Sequence, residues 1–90
     1  MSVAERIRTK LNEALGPSAI VIEDQSQRHA GHAGARPGGE THFHVEIVSA
    51  AFVGKSRVER QRLVYTVLAE ELASQIHALS LVARTPEEGA

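Results

Sequence analysis

The stretch THFHVEIVS, Thr41 to Ser49, constrains this chain more than any other. Phe43, Val45 and Ile47 fall on one parity, and His42, His44 and Glu46 on the other. Side chains of a strand alternate between its faces, so the segment reads as a β-strand with one covered and one polar face. The rest of the fold has to supply the cover.

The flanking sequence supplies it. SVAERIRTKLNEALGP reads as a first helix, with Ser2 and Glu5 at capping-box spacing. Ala4, Ile7, Leu11, Ala14 and Leu15 form its apolar stripe, and Gly16 and Pro17 end it, Gly as a left-handed cap. AIVIED, Ala19 to Asp24, is a short β-branched run and predicts a strand. SRVERQRLVYTVLAEELASQI predicts one long second helix, capped by Ser56 and Glu59, with Val64, Val67, Leu68, Leu72 and Ile76 turned inward. HALSLVAR, His77 to Arg84, predicts a third strand with Leu79 and Leu81 on one face, and TPEEGA a polar tail.

The element order is therefore α-β-β-α-β. A helical crossover makes the second and third strands parallel, with right-handed connectivity. The first two strands form an antiparallel hairpin with a long Gly-rich loop. The expected fold is α+β, a three-stranded mixed sheet with both helices packed on one face. The 90 residues form a single domain, 1–90, with its polar tail at about 85–90. With one Tyr, two Phe and no Trp, the core has to be mainly aliphatic.

Chemistry is concentrated in the histidines. QRHAGHAGARPGGETHFHV, Gln27 to Val45, holds four of the five. His29 and His32 are three apart, and His42 and His44 share one strand face. Imidazole is a common metal ligand, yet neither spacing is specific. His42 and His44 also read as plain solvent-facing strand residues, and His29 and His32 as a polar loop tip. His77, at the junction of the second helix and third strand, reads from spacing alone as a half-buried packed residue with its ring N–H on a backbone carbonyl. The absence of cysteine excludes a disulfide framework and any thiolate ligand from this chain. Ser49, Ser56 and Ser80 lack a nucleophile-elbow setting. Glu70 and Glu71 read as a solvated helix edge. No catalytic constellation emerges, and the expectation is a protein that is not an enzyme.

Three segments carry a resemblance: ETHFHVEIVSAAFVG, RLVYTVLAEEL and IHALSLVARTPEE. Over nearly the whole chain they resemble the BolA-like proteins, whose α-β-β-α-β arrangement is similar to the class II KH fold. The resemblance implies pairing with a monothiol glutaredoxin as a heterodimer. It also implies a bridging [2Fe–2S] cluster, with thiolates from the glutaredoxin and from glutathione and imidazole from this chain. His77, in IHAL, matches the family's ligand. His29 matches a second ligand in the hairpin loop, with His42 and His32 as alternates. The implied role is cluster assembly, trafficking or iron sensing. No cofactor is expected in the isolated chain, which is expected to be a monomer. The segment RQR carries Gln61 where many members have His, and the tail lacks the Trp often found after the acidic pair.

A KH-like, DNA-binding regulator is the alternative. Lys55, Arg57, Arg60 and Arg62 cluster at the start of the second helix, where only Glu59 opposes them. A helix N-terminus with cations nearby can hold phosphate. The second glycine of a GXXG clamp is missing after Gly54, however. A net charge of −1 also argues against a dominant electrostatic grip on nucleic acid. No apolar run approaches a membrane span, and charges interrupt MSVAERIRTKL, so the expected location is cytoplasmic.

Overall fold

The structure, a computed structural model, describes residues 2–25 and 42–89. Helix α1 spans Val3–Leu15, and strands β1 and β2 span Ala19–Asp24 and His42–Val48. A 3-10 turn at Ala50–Phe52 leads into α2, Arg57–Val67, and α3, Ala69–Ser74. Strand β3, Ala78–Arg84, and a short α4, Pro86–Gly89, complete the order. The sheet order is β1-β2-β3, with β1 antiparallel and β3 parallel to β2, as the crossover requires.

The helices begin where the sequence punctuates them. Ser2 and Ser56 each accept from the backbone N–H three residues on, and Glu5 and Glu59 accept from the cap N–H groups, so both capping boxes are closed. Gly16 adopts φ +51° and donates its N–H to Asn12. That left-handed turn releases the chain toward β1.

Phe43, Val45 and Ile47 are buried beneath the helices with Ile7, Leu11, Phe52, Val64, Leu68 and Ile76. Leu79, Leu81 and Ala83 of β3 and Ile20 and Ile22 of β1 pack against that core. The opposite face of the sheet is open, and its rows follow the register. Glu23, His44 and Ser80 lie side by side, as do Val21, Glu46 and Val82. Of the stripe expected on α1, Ala14 is exposed instead.

Three features depart from the sequence expectations. The long second helix bends at Leu68, φ −100° and ψ 19°, between α2 and α3. Two residues earlier, the Thr66 hydroxyl donates back to the Arg62 carbonyl at 2.8 Å, a bond that competes with the helical ladder. Leu68 and Ile76, on either side of the bend, both reach the core.

Glu71 is not at a solvated edge. It has no exposed surface and lies within 2.9 Å of both Arg6 Nη2 and Lys10 Nζ from α1. Burial is the largest influence on its carboxyl and pushes the pKa up. The Lys10 hydrogen bond, a backbone hydrogen bond and the charges of Lys10 and Arg6 outweigh it, holding Glu71 below the usual carboxylate range.

The polar tail is structured as well. TPEE is a third capping signal, with Pro86 at the first helical position. Glu88 accepts the Thr85 N–H at 2.8 Å and pairs with Arg60 at 2.6 Å. Arg60, expected to face only Glu59, thus ties α4 to α2. Its hydrogen bonds from Arg60, and then the Thr85 N–H, hold the Glu88 carboxyl down to about 2. A carboxyl lowered on folding adds stability above its unfolded pKa, near 4.5, and loses it as pH falls toward the folded value. Glu88→Gln is therefore expected to flatten the pH dependence of the urea midpoint between about pH 4.5 and about pH 2. An unchanged acid limb would show that the Arg60–Glu88 contact does not persist in solution.

Candidate metal-ligand site at the sheet edge

His42 opens β2 and His77 immediately precedes β3. Parallel pairing sets His42 opposite Ala78, which draws the two imidazoles together at one end of the sheet. Their ring centroids are 5.2 Å apart and their planes are inclined by 53°. His77 is exposed and His42 half-buried. The packed, carbonyl-bonded junction residue expected from spacing is therefore not what forms: among the described residues the partner of the His77 ring is His42. The reason is the early end of α3. The Glu71 carbonyl accepts both the Gln75 and Ile76 N–H groups, at 2.8 and 2.7 Å, so Ile76 plugs the core and the next residue is turned out.

His44 belongs to a different arrangement. Its ring lies 3.0 Å from Ser80 Oγ through Nδ1 and 3.0 Å from Glu46 Oε2 through Nε2. Glu46 in turn lies 3.6 Å from Arg84 Nη1. Both ring nitrogens are engaged on the open face, so His44 is a poor candidate ligand. His29 and His32 lie outside the described residues. Among the described residues, no group of three or more His, Asp or Glu side chains could hold a metal ion. Two imidazoles supply at most two nitrogen ligands, so a metal or cluster held here needs further ligands from elsewhere.

The cations of the alternative site lie at the other end. Helix α2 runs antiparallel to β3: the Tyr65 hydroxyl donates to the Leu79 carbonyl, and Arg60 to the Ala83 carbonyl. The start of α2 is thus separated from His77 by the length of β3, roughly 20 Å at ~3.3 Å per residue. Lys55, Arg57 and Arg62 are exposed there, and among the described residues no carboxylate lies within ion-pair distance of them. Arg60 is largely used up. Its Nε donates to the Lys55 carbonyl, and its Nη1 to Ala83 and Glu88. The N-terminus of α2 also carries its own anion. Glu59 accepts the Ser56 N–H at 2.8 Å, and this bond, with the Ser56 hydroxyl's, holds its carboxyl below the usual range. A phosphate approaching the helix end would meet that charge. A groove between α2 and β3 is lined by Arg57, Arg60, Tyr65, Leu81 and Arg84.

Comparison with known proteins identifies the lineage. The family model for BolA-like proteins matches residues 11–88. This chain belongs to the BolA-like family. SufE-like protein 1, chloroplastic/mitochondrial, of Arabidopsis thaliana is 54% identical over 87 residues, covering 92% of this chain and 24% of that protein. Protein BOLA1, chloroplastic, of the same plant is 54% identical over 87 residues, covering 94% of this chain and 54% of its own length. The chain thus spans about a quarter and about half of these two relatives. The DNA-binding transcriptional regulator BolA of Escherichia coli strain K12 is 41% identical over 88 residues, covering 98% of this chain and 80% of that protein. Among solved structures, BolA1 from Arabidopsis thaliana superposes with a TM-score of 0.89 at 50% identity, covering 100% of this chain and 98% of that one.

The BolA-like fold expected from the sequence motifs is the one observed. The cytoplasmic expectation is overturned: the two plant relatives are named for organelles, chloroplast and mitochondrion, and not for the cytoplasm. Internal apolar runs and an N-terminal charge pattern bear only on whether a helix could cross a membrane. They carry no address, which is why that inference failed.

Proposed function

We propose that this BolA-like chain is a non-enzymatic partner of a monothiol glutaredoxin and that the two share a bridging [2Fe–2S] cluster in cluster trafficking or iron sensing. The observation that carries this is the paired, solvent-facing edge of His42 and His77. Two imidazoles without a third ligand among the described residues call for donors on another molecule. A glutaredoxin cysteine and glutathione would supply them. Imidazole in place of thiolate on one iron removes negative charge and raises the potential, which distinguishes such a cluster from an all-thiolate one. His77, the more exposed of the pair, is the principal ligand in this proposal. His42 supports it, and His29 or His32 is the candidate from the hairpin segment.

Anaerobic reconstitution with a monothiol glutaredoxin and glutathione, read by visible circular dichroism, tests this. The wild-type mixture is expected to give a spectrum distinct from that of the glutaredoxin homodimer, and His77→Ala is expected to abolish the difference. His42→Ala should weaken it. A homodimer spectrum with the wild-type chain and no co-elution would sink the proposal.

DNA binding is the second proposal, favoured by the three exposed cations Lys55, Arg57 and Arg62 and by the name of the Escherichia coli relative. With Arg60 engaged and Glu59 at the helix end, the contact would be weak and salt-sensitive. Changing Lys55, Arg57 and Arg62 together should abolish it and leave the His77-dependent spectrum intact, because the two ends are separated by the length of β3.

A further inference from the structure

Helix α3 is too short to hold itself in place. It has six residues, and no side chain caps its start. Isolated helices far longer than this are marginal in water. Its backbone link to α2 runs through the single residue Leu68, which donates to Val64, accepts from Leu72 and departs from helical dihedrals, so α2 alone does not set its rotation. Something else has to fix the turn that presents His77.

The candidates are the buried side chains facing α1. Arg6 Nη2 donates to Glu71 Oε2 at 2.9 Å, and Lys10 Nζ to Glu71 Oε1 at 3.0 Å. The second arm of Arg6 donates to Gln75 Oε1 at 2.8 Å. Glu71 also acts through its main chain, since its carbonyl closes the helix on the Gln75 and Ile76 N–H groups. One residue thus anchors the helix to α1 by its side chain and ends it by its backbone. His77 follows one residue after Ile76.

Buried ion pairs add little net stability, because desolvation offsets much of the attraction. An apolar residue at position 71 would fill the same space. What the charged cluster adds is geometry: the Arg6 fork engages two acceptors four residues apart and so sets the rotation of α3 against α1. Ile76 seals the core, and the strand register then sets Ala78 opposite His42.

We propose that Arg6, Lys10, Glu71 and Gln75 form a clasp that positions His77 against His42, making Glu71 and Gln75 positioning residues for the ligand pair. The functional part of this rests on His77 being a cluster ligand; the structural part does not. Loosening the clasp frees the turn from Gln75 to His77 while the β1–β2 hairpin and the α1 cap stay intact.

Amide hydrogen exchange by NMR on the full chain tests it, with Glu71→Gln and the milder Gln75→Ala, which removes only the second Arg6 contact. In Glu71→Gln the Gln75 and Ile76 amides are expected to exchange roughly ten-fold faster relative to the Val45 and Ile47 amides, the scale of one lost charge-assisted hydrogen bond. The nuclear Overhauser contact between the His42 and His77 rings is expected to weaken in parallel. Gln75→Ala is expected to do the same to a smaller degree, and it keeps the test decisive where Glu71→Gln fails to fold. Acceleration spread evenly over turn and sheet, or a turn unchanged in both variants, overturns the clasp. Mixed-cluster dichroism is read on the same samples. A wild-type chain that forms no mixed cluster counts against the ligand proposal alone, because the exchange ratio decides the positioning by itself.

Discussion

Phe43→Ala is expected to destabilise the protein by about 3–5 kcal/mol, measured as the shift of the urea unfolding midpoint at unchanged slope. Phe43 lies near the start of the central strand and is 1% exposed. It is one of two phenylalanines, and the other, Phe52, belongs to the same buried cluster. With no tryptophan, the aliphatic side chains around it leave no large neighbour free to refill the space. Truncation therefore loses both the transfer free energy of the ring and the contacts around the cavity. Small domains have about 5–15 kcal/mol in total, so this one change would consume much of the margin. The site would feel it too, because Phe43 sits between His42 and His44 and holds that end of β2 against the helices. A cost below about 1 kcal/mol would mean that the helical layer does not cover the sheet as described.

Sequence legibility followed the range of the interaction involved. The strand parity of Phe43, Val45 and Ile47, the two capping boxes and the Gly16 turn are set by neighbours within a few residues, and each formed where the pattern placed it. The mixed sheet followed from a crossover rule that needs only element order. The long second helix failed because its apolar periodicity runs unbroken through Leu68, and nothing in that pattern marks the bend there. Glu71 failed for a related reason. Beside Glu70 it looks like a solvated pair, and its partners Arg6 and Lys10 are more than sixty positions away along the chain. Arg60 likewise found Glu88, 28 residues on. The TPEE capping signal is local, but the four-residue helix PEEG carries no apolar period to set it apart from a polar tail. For the site, the motif around His77 pointed to a ligand, and the pairing with His42 follows once β2 and β3 are known to be parallel. The exposure of His77 was not legible, since it depends on where the Glu71 carbonyl ends α3.

Removing both cations, as Arg6→Met with Lys10→Met, is expected to cost more stability at neutral pH than removing the carboxylate as Glu71→Leu. The asymmetry comes from exposure. The side chains of Arg6 and Lys10 retain 34% and 31% of their accessible surface, so each can turn to water when Glu71 is gone. Glu71 has none, so without its partners it is left as an uncompensated charge in the interior. For that buried carboxylate the cost is on the order of 3 kcal/mol, at the lower end of the range for a broken buried pair because protonation provides an escape. The escape gives the prediction its sign. In the wild type the cations hold the Glu71 pKa below its usual value, so its contribution is present above about pH 4.5 and is lost as pH falls. In the double variant neither cation opposes burial at Glu71, so the folded pKa rises above the unfolded one and the contribution reverses. Relative to the wild type, the double variant is then expected to recover stability as pH falls from 7 toward 4. Urea midpoints for wild type, Glu71→Leu and the double variant at those two pH values decide it. If the double variant weakens with acid as the wild type does, Glu71 is reached by water, and the clasp that holds the His77 turn is looser than its geometry implies.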